Sequence, residues 1–188
     1  GQSLIDANAK WLNSLAERMP NKTIAYLSYS QVEGVPSFKL EPNVLPITVY
    51  HLSDFPSDGW GRIDNLAKVS NRTGNDDWAE GKGFIMPRIY TRILSQYLTT
   101  IQNNNIKFDY AHIEAYPNWG LDGIKYWEMG QLYRNPNLNV DSIRMKFCTD
   151  LFGEANKQMK SYFDALEDIG TYLNNTGIGT HMYNYPQQ

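Results

Sequence analysis

Glu114 closes the run Phe108-Asp109-Tyr110-Ala111-His112-Ile113 and stands just before Tyr116, Asn118 and Trp119. A carboxylate at the end of a strand-like, mostly apolar segment is costly to bury, so it must face an open mouth or a partner. A carboxyl group beside aromatic rings and an amide suits a polyhydroxylated ligand. There it acts as general acid or base, as nucleophile, or as acceptor for hydroxyl groups. The competing reading is a structural salt bridge at a barrel rim. Asp77 and Glu80 flank Trp78, and either carboxylate is a candidate partner for Glu114 across a strand-end mouth. Such a pair retains configuration at a separation of roughly 5 Å and inverts it at roughly 6.5–9.5 Å. The competing reading of this stretch is a solvated acidic loop.

His51 and Asp54 form another candidate couple, an imidazole oriented by a carboxylate, although a strand-end histidine often serves only as a hydrogen-bonding residue. His112 and Glu114 alternate on one strand face, yet the sequence offers no third ligand to complete a metal site. The candidate catalytic residues are therefore Glu114 and Glu80. The candidate ligand-binding residues are Trp119, Tyr116, Asn118, His51, Asp54, Asp77 and Trp78. Neither a metal nor a cofactor is expected. Tyr126, Trp127 and Tyr133 sit at helical spacing and read as core, and Ser28 and Ser30 lack the strand-turn-helix context of a serine nucleophile.

These residues need elements to hold them. Leu4, Ala7, Trp11, Leu12 and Leu15 recur at roughly helical spacing, which predicts a helix over residues 3–19, capped by Ser3 and carrying Asp6 in its first turn. Residues 23–29 read as a short strand, 31–42 as a Gly- and Pro-containing loop, and 44–52 as a strand buried on both faces. A short helix is expected over 62–70. A third strand is expected over 75–80, bounded by Gly74 and Gly81. A helix over 89–102 ends at Asn103-Asn104-Asn105, and a fourth strand covers 108–114. Helices follow over 121–133, 139–152 and 154–172, with Asn139 and Asp141 capping the second and Gly153 breaking before the third. Four strand C-terminal ends thus carry the chemistry, as in parallel sheets and barrels. No glycine-rich phosphate loop follows any strand, which counts against nucleotide binding.

The 188 residues suffice for one large domain or part of a larger one, and the sequence shows no linker long enough to divide them. A formal charge of −3 without any basic run argues against nucleic acid as a partner. No apolar run is long enough for a membrane span. Cys148 is the single cysteine, which excludes a disulfide framework within the chain and reads as a small buried hydrophobe. Five Trp and thirteen Tyr supply flat faces suited to sugar rings, or simply an aromatic core. Three sequons, Asn21-Lys22-Thr23, Asn71-Arg72-Thr73 and Asn174-Asn175-Thr176, are compatible with secretion. No signal peptide precedes the first helix-like segment, and the opening glycine suggests a cut.

The segment from Tyr110 to Leu166 resembles the last strand and closing helices of a bacterial barrel family, the domain of unknown function 4838. The residues that carry the likeness are Ile113-Glu114 at a strand end, Asn135-Pro136 with Asn139-Val140-Asp141, and Phe147, Leu151, Phe152-Gly153-Glu154-Ala155 and Met159. Ile5 to Pro20 followed by Ile24 to Tyr29, and then Asn43-Val44, is similar to the family's preceding helix and strands. Residues 53–88 match poorly. The resemblance implies an α/β fold: the C-terminal half of a TIM-type (β/α)8 barrel, related to alpha-glucuronidase and beta-hexosaminidase barrels. Four parallel strands would be followed by closing helices over residues 1–173, with a polar tail over 174–188. It implies a secreted or periplasmic protein that hydrolyses or binds a glycan without a cofactor. The rivals are a non-catalytic carbohydrate-binding module and an inactive fragment. An open half-barrel exposes edge strands and should pair with the N-terminal half of the barrel or with itself.

Overall fold

The computed structural model describes residues 3–49, 52, 59–77, 79, 87–113 and 120–175. The chain divides into two compact units of interleaved segments, although no Pro- or Ser-rich linker marks a boundary. The division follows contacts and not chain order.

The first unit contains α1 (Leu4–Arg18), β1 (Ile24–Ser28), β2 (Val44–Val49), α2 (Gly61–Leu66), β3 (Arg72–Asp77) and β4 (Lys107–Ile113). Ser3 caps α1 by accepting the Asp6 N–H at 3.1 Å, and Arg18 stands in the last turn, where a cation meets the helix dipole favourably. The stripe Ala9, Leu12 and Ala16 is buried with Leu40 and Val44, and Ile24, Tyr26 and Phe38 pack around it. Burial raises the Tyr26 hydroxyl pKa to about 12.

The sheet is wholly parallel, in the order β1-β2-β3-β4. Parallel neighbours usually need a crossover helix, yet β1 and β2 are joined by a loop with a single 3-10 turn at Ser30–Val32. Side chains of α1 satisfy much of that loop's backbone instead. Asp6 accepts from both the N–H and the hydroxyl of Ser37, at 2.8 and 2.9 Å. Asn13 donates to the Lys39 carbonyl and accepts from the Glu41 N–H. The Asn43 side-chain amide shares its two hydrogens among the carbonyls of Ala16, Met19 and Lys22, at 2.9–3.1 Å.

Every residue of β2 is buried, as the sequence suggested. Pro46 is tolerated there because the paired register with β3 begins only at Ile47. β3 corrects the expected span. The strand Arg72–Asp77 begins three residues before the expected start at 75, Gly74 lies inside it rather than at its boundary, and residues 78 and 80 of the expected span lie outside the described ones. Its composition is almost wholly polar, so period-2 hydrophobicity gives no signal there. Instead Thr73 donates to the Pro46 carbonyl at 3.2 Å and Thr48 to the Gly74 carbonyl at 3.0 Å, both buried. Gly74 is required by its neighbour: a Cβ there would come within 2.7 Å of Tyr110 Cβ and 3.0 Å of its carbonyl oxygen. The β3–β4 register shifts between Thr73 and Gly74, opposite the stretch from Phe108 to Tyr110.

The second unit contains α4 (Gly123–Arg134), α5 (Val140–Phe152) and α6 (Asn156–Asn175). Helix α3 (Thr91–Asn103) contributes residues to both units. Asn139 caps α5 by accepting the Ser142 N–H at 2.9 Å, and Gly153, with φ of 52°, ends that helix in a conformation suited to glycine. Ile89, Ile124, Cys148, Phe163 and Leu166 form the apolar core of this unit. Burial pushes the Cys148 thiol pKa up, as befits a small hydrophobe. Trp127 packs on Phe147 with ring centroids 5.5 Å apart, and Tyr126 donates to the Ala79 carbonyl. Helix α6 runs through Asn175, so Asn174 and Asn175 are helical and not part of a tail; residues 176–188 lie outside the described ones.

Candidate functional site

Strand alternation and register assign the sheet two faces. Ile24, Tyr26 and Val44 meet α1 on one of them. In the same register this face carries Thr73, Asn75 and Asp77, all fully buried. The other face carries Leu27, Arg72, Gly74, Asp76, Tyr110 and His112. Its rim is open: Leu27 is 48% exposed and Tyr110 41%.

Two polar groups divide this open face along the strand direction. At the N-terminal end, Arg72 Nε donates to Asp109 Oδ2 at 2.7 Å and Lys107 Nζ lies 2.6 Å from Asp109 Oδ1. Burial works against the Asp109 carboxylate, but the hydrogen bonds from Lys107 and Arg72 outweigh it and hold its pKa below the ordinary 3.8. At the C-terminal end, Asp76 and His112 are direct cross-strand partners, and Asp76 Oδ1 lies 2.7 Å from His112 Nδ1. The carboxylate is 13% exposed and the imidazole 43%. Asp76 only accepts, so His112 Nδ1–H donates to it, and the contact fixes the orientation of the imidazole ring. This geometry sets an oriented, half-exposed imidazole at the end of the sheet where function collects in parallel folds.

Of the residues that the sequence singled out, Glu114, Glu80, Trp119, Tyr116, Asn118, His51, Asp54 and Trp78 lie outside the described residues. Asp77 is the last residue of β3 and is fully buried, on the face opposite His112 and not in a solvated loop. Among the described residues, His112 and Asp76 form an imidazole–carboxylate couple. Among the described residues no cluster of three or more His, Cys, Asp or Glu side chains is arranged to hold a metal ion, and no helix is long and apolar enough to cross a membrane. A groove of about 760 Å³ runs along α2 and the β1–β2 loop, lined in part by Val35, Phe38, Lys39, Arg62, Lys68 and Val69. It contains none of the residues predicted to bind ligand.

In the second unit, sequence reasoning missed two charged groups. Lys125 is fully buried: its ammonium lies 3.3 Å from Asp122 Oδ1 and 5.7 and 5.0 Å from the ring centroids of Tyr90 and Tyr126. Arg144 is also fully buried. Its Nε and Nη2 donate to the two carboxylate oxygens of Glu128 at 2.9 and 3.0 Å, Nη1 to Asp164 at 2.8 Å, and Nη2 also to Glu167 and to the Thr91 hydroxyl. Arg92 and Lys160 extend this network to Asp141 and Asp164. Burial raises the Glu128 pKa and outweighs the lowering by Arg144, whereas the surrounding carboxylates push the Arg144 pKa up against its own burial. Every nitrogen of Arg144 is engaged, so this cluster is built to hold helices together. The signal was present in the spacing: Arg144 lies four residues from both Val140 and Cys148, and Glu128 four from both Ile124 and Leu132, on stripes otherwise apolar.

The family model for the domain of unknown function (DUF4838) matches residues 1–164, and the chain belongs to that family. No curated protein and no solved structure matches it.

Proposed function

We propose, from that family membership, that the chain is the C-terminal half of a glycosidase-like (β/α)8 barrel whose strand ends bind a glycan. The observation that carries this reading is the sheet order. Four parallel strands follow one another without reversal, as in a barrel, whereas a doubly wound sheet reverses at a switch point. Parallel sheets are ordinarily covered on both faces, and here the face opposite α1 has an open rim. The N-terminal half of the barrel, or a second copy of the chain, is the partner that would cover it. Glu114 and Glu80 are proposed as the carboxylates, with Trp119, Tyr116, Asn118, His51, Asp54 and Trp78 around the sugar; Asp77, buried on the α1 face, is not among them. The completed barrel would hydrolyse a glycosidic bond without a cofactor, and the protein would work outside the cytoplasm. A binding module without turnover is the second reading, favoured by the hydrogen-bonding His112–Asp76 couple on the open face.

The test is a glycan array probed with the protein as its gene encodes it, followed by calorimetry on each hit. Binding that weakens at least tenfold in Glu114→Gln and in Trp119→Ala, with unfolding midpoints unchanged, supports the reading. A folded protein that retains no glycan sinks it.

A further inference from the structure

We infer that the groove between the β1–β2 loop and α2 is a binding site for a small amphipathic anion, an apolar body that carries one carboxylate. The inference is independent of the glycan reading. No strand-end residue lines the groove. Its loop wall is tied to α1, so a partner on the opposite face of the sheet does not cover it.

Shape comes from the crossover. The β1–β2 connection holds only a 3-10 turn where parallel strands ordinarily take a helix. The groove of about 760 Å³ lies between that loop and α2, within the roughly 300–1,000 Å³ of small-ligand sites. Its walls are fixed in place. Asp6 and Asn13 of α1 hold the loop at Ser37, Lys39 and Glu41. The Leu40 N–H donates to the Val69 carbonyl at 2.8 Å and joins the loop to the turn after α2. Arg62 Nη2 donates to Glu33 Oε1 at 2.6 Å and ties the two walls a second time. A preformed groove of this kind has little ordering left to do when a ligand enters.

Its chemistry is apolar and cationic. Val35, Pro36, Phe38 and Val69 supply the apolar lining, and Phe38 also packs on the α1 cluster. The charged lining is Lys39, Arg62 and Lys68, with no carboxylate among it, in a chain of net charge −3. Glu33 neutralises Arg62. Asp6, which reaches Ser37 from α1, has Lys10 beside it. Asp64 accepts from Asn104, and neither it nor Glu41 lines the groove. Among the described residues neither Lys39 nor Lys68 forms an ion pair. The Asn65 side-chain oxygen accepts from the Lys68 ammonium at 2.7 Å and holds it without cancelling its charge. Both lysines also line an adjoining hollow of about 250 Å³. They therefore stand at the border of the groove, where a carboxylate meets them while its apolar body lies along Val35, Phe38 and Val69.

The experiment is an NMR titration of the full chain with 4-phenylbutyrate, indole-3-acetate and octanoate. Valine methyl and phenylalanine ring 13C resonances are followed. Each carboxylate is compared with the alcohol that has the same body, and acetate supplies the charge without a body. The expected result is saturable shifts at Val35, Phe38 and Val69 with at least one of the three carboxylates. The matching alcohol should bind at least fivefold more weakly, and acetate should leave those resonances unshifted. Replacing both lysines, Lys39→Gln with Lys68→Gln, should weaken carboxylate binding to the level of the alcohol, with the unfolding midpoint unchanged. Added salt should weaken binding to the parent and not to the double variant. An alcohol that binds as tightly as its carboxylate, or a double variant that binds as the parent does, overturns the assignment. So do shifts confined to other residues, and so does a folded protein that none of the three carboxylates shifts.

Discussion

On the open face of the sheet, the half-exposed His112 ring touches one carboxylate. Among α4, α5 and α6, Arg144 is fully buried, and each of its three nitrogens donates to a carboxylate or a hydroxyl. Both regions gather charge, but they spend it differently. Around Arg144, desolvation makes an unmet donor costly, and each of its nitrogens is matched by a partner. On the sheet, partial exposure lowers the cost of a polar atom left to solvent, and one well-placed carboxylate orients the His112 ring. Saturation marks scaffold, and a single orienting contact marks a surface able to recognise something.

The sharpest way to break this contrast is to delete one partner from each region. Arg144→Leu leaves Glu128 buried without its cation, while Glu167 keeps Arg92, and a loss of about 3–5 kcal/mol is expected in urea unfolding. His112→Ala should change stability by no more than about 0.5 kcal/mol, as for other surface substitutions. Equal losses in the two variants would erase the distinction. A smaller effect is expected inside the sheet itself. Gly74→Ala forces a methyl group against the Tyr110 backbone and Cβ, and should cost about 1–3 kcal/mol. Truncating Tyr110 to alanine should not rescue it, because the clashing atoms remain. The smallest effect belongs to the exposed edge of the ionic network. Hydrogen bonds from Lys160 and then Arg92 hold the Asp141 pKa below 3.8. Its contribution is therefore full above the unfolded value and is lost as pH falls through the lower folded value. Asp141→Asn should cost less than about 1 kcal/mol at neutral pH. That difference from the parent should vanish in acid, which unfolding curves at several pH values will show.

Local chemistry made much of the scaffold legible. Ser3 and Asn139 cap the helices that their side-chain chemistry implies, Gly153 ends α5, and the apolar run at Val44 is a fully buried strand. β3 was misplaced by three residues because Arg72-Thr73-Gly74 carries no hydrophobic alternation. Its strand state comes from pairing with β2 and β4, a long-range cause that no window of sequence contains. The same reason hid the His112–Asp76 couple. The sequence put His112 on a strand face with Glu114, but its partner sits 36 residues away and is chosen by cross-strand register. Asp77, the neighbour of that partner, faces the opposite way. One residue of offset in a strand decides between a buried carboxylate and one that serves the open face.

Asn43 has a consequence for the order in which the molecule assembles. Its amide joins the end of α1, the turn at Met19 and the carbonyl of Lys22 to the first residues of β2, across separations of 21 to 27 residues. The apolar cluster around Leu12 is likewise drawn from residues 9–44. Closing this short loop costs little chain entropy, whereas β4 must await a much longer excursion through α3. Residues 3–49 therefore form the natural starting template, and β3 and then β4 add to its free edge. The sheet is expected to grow in one direction, strand by strand, in the order in which it is synthesised.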